Sequence, residues 1–371
     1  MTSIPRTEAE YLLPDAAWRR TFRRRLAAWF ARSARDLPWR RTRDPYCVWL
    51  SEIMLQQTQV ATVKPYFERF VQALPTIEAL AAADEQQVLR LWEGLGYYRR
   101  ARQLHQAARV IVAEHAGRFP RDREAVRRLP GIGRYTAGAI LSIAFDAREP
   151  ILEANSTRLL ARLVAYRGDP ASSAGSRIFW AVADTVLPRM NVGAFNQALM
   201  ELGSTVCVPK APRCDACPVA VLCRARAAGL QAAIPAPKPK RPTETRREAA
   251  VLVHRGGRVL VVQRPEGQRW AGLWDFPRLQ IHAHDPAAIE RELAEGVERL
   301  TGVAIRPGGH RTTLRHGVTR FRITLACYDA EYVSGPPASR RWPTMRWLRP
   351  GELEAYPLST TGRKLARLLV R

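Results

Sequence analysis

The apolar residues of this chain change their spacing once, across a segment that has no means of building a core. Residues 229–247 run through Ile-Pro-Ala-Pro-Lys-Pro-Lys-Arg-Pro, a stiff, basic composition suited to a tether. Before it, segments 18–31, 60–74, 85–91, 98–116 and 137–145 carry apolar residues three and four apart, which predicts amphipathic helices. Turn signals at Leu37-Pro38, Leu74-Pro75, Gly94-Leu95-Gly96 and Leu129-Pro130-Gly131 separate them. After it the period falls to two. Segments 249–253 and 259–262 flank His254-Arg255-Gly256-Gly257, a hairpin pattern. Segments 321–328 and 344–348 read as further strands, 287–300 and 361–370 as helices. The expected fold is a mainly α N-terminal domain over 15–228, joined through 229–247 to a smaller α+β domain over 248–371, with 1–14 as a tail.

Charge narrows the function. Of 371 residues, 59 are Lys or Arg and 34 are Asp or Glu, a formal net charge of +25 in a chain that is 46% hydrophobic. Such a chain folds, and its excess calls for a polyanionic partner or surface; an Arg bias of the whole proteome is the bland alternative. No stretch approaches the roughly 18 apolar residues of a membrane span. Residues 1–15 lack the apolar core of a secretory signal, so a cytoplasmic protein is expected.

Four of the six cysteines, Cys207, Cys214, Cys217 and Cys223, form C-x6-C-x2-C-x5-C with Pro209, Pro212 and Pro218 between them. Four thiolates in one tight loop suit a tetrahedral ion or a cubane cluster. Structural zinc usually divides its ligands into two close pairs, so the single compact loop favours [4Fe–4S]. Upstream, the run from Leu129 to Gly138 has the form of a helix–hairpin–helix. Gly131 and Gly133 would bring backbone N–H groups close to an anion at a helix start. Alone, such a turn is often only a tight connection; in a chain of this charge it points to the DNA backbone.

At these residues the chain resembles the helix–hairpin–helix DNA glycosylases, and among them the adenine glycosylase (MutY) family. The matching blocks are Arg35-Asp36-Leu37-Pro38-Trp39-Arg40, Asp44-Pro45-Tyr46, the run from Trp49 to Val60, the run from Leu91 to Tyr98, the hairpin, Phe195-Asn196-Gln197-Ala198 and the cysteine loop. The resemblance implies hydrolysis of the N-glycosidic bond of adenine mispaired with 8-oxoguanine or G in double-stranded DNA. It also implies extrusion of the base, one [4Fe–4S] cluster, and a monomer associated with the nucleoid through DNA.

The resemblance assigns roles residue by residue. Glu52, in an apolar helical segment, would be the general acid. Glu153 stands where the family has Asp and would stabilise or trap the sugar cation; otherwise it or Asn155 caps the following helix. Asn155 would orient that carboxylate. Tyr135 holds the position of the Schiff-base Lys of related lyases, which implies a monofunctional enzyme. Gln57 and Tyr97 would wedge into the stack, although Tyr97 fits a core equally well. Arg35, Leu37, Trp39, Arg40 and Gln197 match the adenine pocket, while Leu37 and Trp39 also suit a core.

The C-terminal residues resemble the family's Nudix-like, lesion-reading domain. Arg291-Glu292-Leu293-Ala294-Glu295 resembles part of a Nudix box, but Gly296 replaces a metal-binding acid, which argues against hydrolase chemistry. Leu314-Arg315-His316 stands where the family reads the lesion; His316 is kept, and Arg315 could donate to the lesion's carbonyl and N7 edge, donate to a phosphate, or signal a different opposing base. Two rival readings are a same-scaffold glycosylase with altered base or lesion choice, and a lesion binder that does not cut.

Overall fold

The structure is a computed structural model that describes residues 12, 15–236, 242–268, 270–318, 320–339, 342 and 344–370. In chain order its helices are α1 (Ala16–Ser33), α2 (Pro45–Leu55), α3 (Val60–Ala73), α4 (Ile77–Ala82), α5 (Glu85–Trp92), α6 (Arg99–His115), α7 (Arg123–Arg128) and α8 (Arg134–Phe145). There follow α9 (Ala154–Leu163), α10 (Ser173–Val186), α11 (Val192–Thr205), α12 (Arg224–Ala227), α13 (Pro286–Thr301) and α14 (Thr360–Ala366). The strands are β1 (Glu244–Arg255), β2 (Arg258–Gln263), β3 (Trp274–Asp275), β4 (Arg278–Gln280), β5 (Ala304–Val318), β6 (Phe321–Ser334) and β7 (Met345–Leu348). No helix among the described residues is long and apolar enough to cross a membrane.

The chain forms two compact units. One runs through Ala81 and resumes at Gln106; the other joins Ala82–His105 to the residues beyond the tether. That division differs from the contiguous one expected above.

In the first unit α2 is the central helix. Asp44 caps it by accepting from Tyr46 N, Pro45 sits where no N–H is needed, and Tyr46, Trp49, Leu50, Ile53 and Met54 are buried around its circumference. It packs on α8, which packs on α11. A separate core gathers Phe22 and Leu26 of α1 with Leu159, Leu160 and Leu163 of α9, Phe179 of α10, and Leu199 and Leu202 of α11. The tether is shorter than its composition suggests. Ile234 is buried in this core and its carbonyl accepts from Arg162 Nε at 2.7 Å, while β1 already begins at Glu244. One isoleucine outweighed the prolines around it. Residues 237–241, and all of the 1–14 tail except Leu12, lie outside the described residues; Leu12 packs against the same core.

The second unit is built on a mixed sheet of order β3-β2-β1-β6-β5, with β4 beside β1 and β7 beside β2. β1 and β2 form the expected hairpin, closed by Gly256 and Gly257 at φ +52° and +73°. β1 runs parallel to β6. Ala250 and Leu252 face one core, with Leu358 and Leu365; Ala249, Val251 and Val253 face another, with Leu293 and Val297 of α13. Burial on both faces explains the unbroken apolar run of β1. A Cβ on Gly296 would stand 2.4 Å from Leu279 Cδ1, so any side chain there requires Leu279 to move.

Candidate active site

A cavity of about 700 Å³ opens in the first unit, and Glu52, Tyr135, Glu153, Asn155, Gln57 and Gln197 all line it. Arg35, Leu37, Trp39 and Arg40 complete one wall. Leu37 and Trp39 are core residues as well: both are buried, and Trp39 meets Phe67 edge-on.

Glu52 reaches the cavity from the last turn of α2 and is 6% exposed. Burial pushes its carboxyl up to about 7, against the opposing hydrogen bond that Tyr135 Oη donates to Oε2 at 2.7 Å. The same hydroxyl lies 3.2 Å from Met200 Sδ. Tyr135 sits in the first turn of α8, so the hairpin that precedes this helix also positions the acid's hydrogen-bond partner.

Glu153 is the N-cap of α9. Its Oε2 accepts from Asn155 N at 2.6 Å and its Oε1 from Ser156 N at 2.7 Å, while Ser156 Oγ accepts from Glu153 N at 2.9 Å. This is a reciprocal capping box. Burial raises its pKa, opposed by those backbone N–H groups. Capping and cavity lining therefore coincide in one side chain. Asn155 meets Glu153 through its backbone N–H, while its side-chain Oδ1 accepts from Arg158 Nη2 at 2.8 Å. Arg158 also donates to Gly203 O at 2.7 Å and to Cys207 O at 2.8 Å.

The sequence reading missed Glu201. It is 1% exposed and holds both expected pocket arginines: Arg35 Nε and Nη2 at 2.6 and 2.8 Å, and Arg40 Nη2 at 2.9 Å. The guanidinium groups expected to face a base are thus engaged by a carboxylate within the wall. The available signal was spacing, since Gln197, Met200, Glu201 and Ser204 recur on one face of α11 and all line the cavity.

Gly131 has φ +78° in the turn between α7 and α8, and Gly133 is the N-cap of α8 with open space where a Cβ would stand. Gln57 has φ +56° just beyond α2. In the second unit Tyr97 has φ +49° and is 53% exposed, so it is no core aromatic. Arg315 and His316 are neighbours on β5 and project to opposite faces of the sheet. Arg315 is exposed, whereas His316 Nε2 stands 3.3 Å from Arg278 Nη2 on the side that buries Leu314. This alternation sends the two side chains to different faces of the sheet.

Cys207, Cys214, Cys217 and Cys223 are unbridged and line one small apolar cavity with Leu159 and Val219. Arg162 donates to Cys207 Sγ at 3.3 Å, and burial raises the Cys217 thiol to about 11. Among the described residues no three His, Cys, Asp or Glu side chains gather tightly enough to hold a metal ion. The sulfurs are spread around a cavity wall.

This geometry matches known proteins in two blocks. Residues 50–184 match the HhH-GPD superfamily of base excision DNA repair proteins, and 248–368 match the NUDIX domain. A thermostable thymine-DNA glycosylase is 29% identical, with a TM-score of 0.52 over 58% of this chain and all of that one. An endonuclease III in a DNA complex, 21% identical with a TM-score of 0.50, shares the fold. The adenine DNA glycosylase of Rattus norvegicus is 36% identical over 96% of this chain and 80% of its own length, and that of Schizosaccharomyces pombe 33% over 92% and 88%. The chain belongs to the adenine DNA glycosylase family.

Proposed function

We propose that this protein binds duplex DNA and hydrolyses the N-glycosidic bond of a mispaired adenine. The observation that carries the reading is that two carboxylates, 101 positions apart in sequence (52 to 153), line one cavity large enough for a nucleoside, with different surroundings.

An adenine in a stacked duplex hides its reacting atoms, so the nucleotide must enter the cavity. Glu52, held protonated near neutral pH by burial, delivers its proton to the purine ring and makes the base a neutral leaving group. The C–N electron pair leaves with the base, and positive charge develops on the sugar. Glu153 supplies the facing negative charge, and water adds its hydroxyl at the sugar carbon and releases a proton. Tyr135 has no amine for a Schiff base, so strand cleavage does not follow. Leu37 and Trp39 offer the base an apolar wall, and Gln197 a planar amide.

Gln57 and Tyr97 serve as wedges and Gly131 and Gly133 as the phosphate contact. Cys207, Cys214, Cys217 and Cys223 would hold a [4Fe–4S] cluster: they line one apolar pocket, and among the described residues its lining brings no His, Asp or Glu. Bound there, the cluster supplies rigidity to the loop carrying Lys210 and Arg213. We read the protein as a cytoplasmic monomer whose preferred duplex pairs adenine with 8-oxoguanine, read through Arg315. A shifted choice of opposing base is the second reading, favoured by the inward turn of His316.

The test is single-turnover excision from duplexes pairing A with 8-oxoguanine, G, C or T. Preference for the first supports the reading; activity on none of them leaves a binding protein.

A further inference from the structure

Segment Ala82–His105 is flanked in sequence by the first unit yet clusters with the C-terminal residues. One face of α5 accounts for it. Gln86, Arg90 and Glu93 recur at i, i+4 and i+7, so they form one row, while Val88, Leu89 and Trp92 are buried. Each side chain of the row bonds to the C-terminal half. Gln86 Oε1 accepts from Trp274 Nε1 at 2.9 Å, and Arg90 Nε donates to Glu354 O at 2.8 Å. Glu93 accepts a fork from Arg363, Nε at 2.7 Å and Nη2 at 2.9 Å, and Leu358 N at 3.1 Å. The Glu93 and Arg363 side chains are 8% and 13% exposed. A bidentate pair out of water fixes both distance and angle, and removing one partner strands the other.

A constrained turn springs directly from Glu93. Gly94, Gly96 and Tyr97 have φ of +102°, +72° and +49°. A tyrosine keeps such a backbone only where its surroundings enforce it. Here Trp92 Nε1 donates to Gly96 O at 3.1 Å, Gly94 N to Tyr98 Oη at 3.1 Å, and Arg100 Nη2 to Gly96 O at 3.3 Å. The result is a half-exposed ring on a rigid base.

We propose that Glu93 and Arg363 make the Nudix-like half a positioning element for Tyr97. The pair fixes the end of α5 and thereby holds the ring ready to enter the duplex, so the C-terminal half serves base extrusion as well as reading the opposing base. This rests on the reading of Tyr97 as a wedge. Glu93 touches no reacting atom; it acts through the turn.

The experiment is a double-mutant cycle in the full chain, using a duplex with 2-aminopurine in place of the target adenine, whose fluorescence reports extrusion. Glu93→Gln is expected to lower the extruded fraction about tenfold, less than the roughly hundredfold of a 1 Å misplacement at the chemistry. In a Tyr97→Ala background it is expected to cost nothing further, and the pH profile of the chemical step is expected to stay in place. An equal cost in both backgrounds, or none where Tyr97→Ala is damaging, overturns the proposal. A harmless Tyr97→Ala overturns the wedge reading itself. Arg363→Lys keeps the charge but loses the fork, and it is read in the same cycle should Glu93→Gln not fold.

Discussion

The two walls of the cavity bury the same functional group but surround it differently. On the α2 side, Glu52 sits in a helix with no solvated face and has one neutral donor, the Tyr135 hydroxyl. On the α9 side, Glu153 sits at a helix start, where two backbone N–H groups and the helix dipole favour negative charge. Burial raises both carboxyls, to about 7 at Glu52, while at Glu153 the N–H groups of the helix start oppose the rise. A glycosidic bond needs both, an acid for the leaving base and an anion for the sugar, and the difference comes from placement along two helices.

The contrast is broken most completely by Glu52→Gln. Loss of the proton donor is expected to slow single-turnover excision by roughly 10²–10⁴-fold with DNA affinity retained; equal loss of both would make Glu52 structural. The same variant should be more stable than the parent. A carboxyl raised from its ordinary 4.5 to about 7 destabilises the folded state by about 3 kcal/mol once ionised, at roughly 1.4 kcal/mol per pH unit. The penalty is absent below the unfolded value, grows as pH rises through the window between the two, and is complete above about 7. Melting curves at pH 4.5 and pH 8 check this: the Gln variant's advantage appears at the higher pH alone.

Next in size is Glu153→Gln, which keeps a capping oxygen but removes the charge; excision is expected to fall roughly 10²–10³-fold, with about 1 kcal/mol of helix-cap stability at stake. Tyr135→Phe sharpens the comparison. The hydroxyl lowers the pKa of Glu52, so its removal moves the basic limb of the pH–rate profile upward, and a downward move would contradict the assigned donor. The smallest effect is expected from Glu153→Asp, since Asp caps as well as Glu. Rates within about tenfold of the parent would fit; a larger loss means that the cavity is built around the longer acid.

Residues whose neighbours in sequence explain them were legible. The apolar run around Glu52, the glycines of the hairpin and the β1–β2 turn all declared themselves locally. Glu201 did not, because a lone glutamate on a helix reads as solvated until Arg35 and Arg40 are seen to converge on it. β5 was missed because its exposed edge is polar and interrupted by Pro307 and Gly308-Gly309. The partners of α5 lie more than 180 positions away (Gln86 to Trp274 is 188), beyond the reach of any periodicity. The opposite facing of Arg315 and His316 was readable in principle from the alternation of a strand.

Arg158 has a consequence of its own. From one guanidinium it holds the Asn155 amide, the Gly203 carbonyl of α11 and the Cys207 carbonyl. Three segments thus share a single fastening, directly beneath the backbone that tethers the Glu153 carboxylate. Heating that frees the cysteine segment would release the anion's seat in the same cooperative event, so calorimetry and residual turnover should trace one curve.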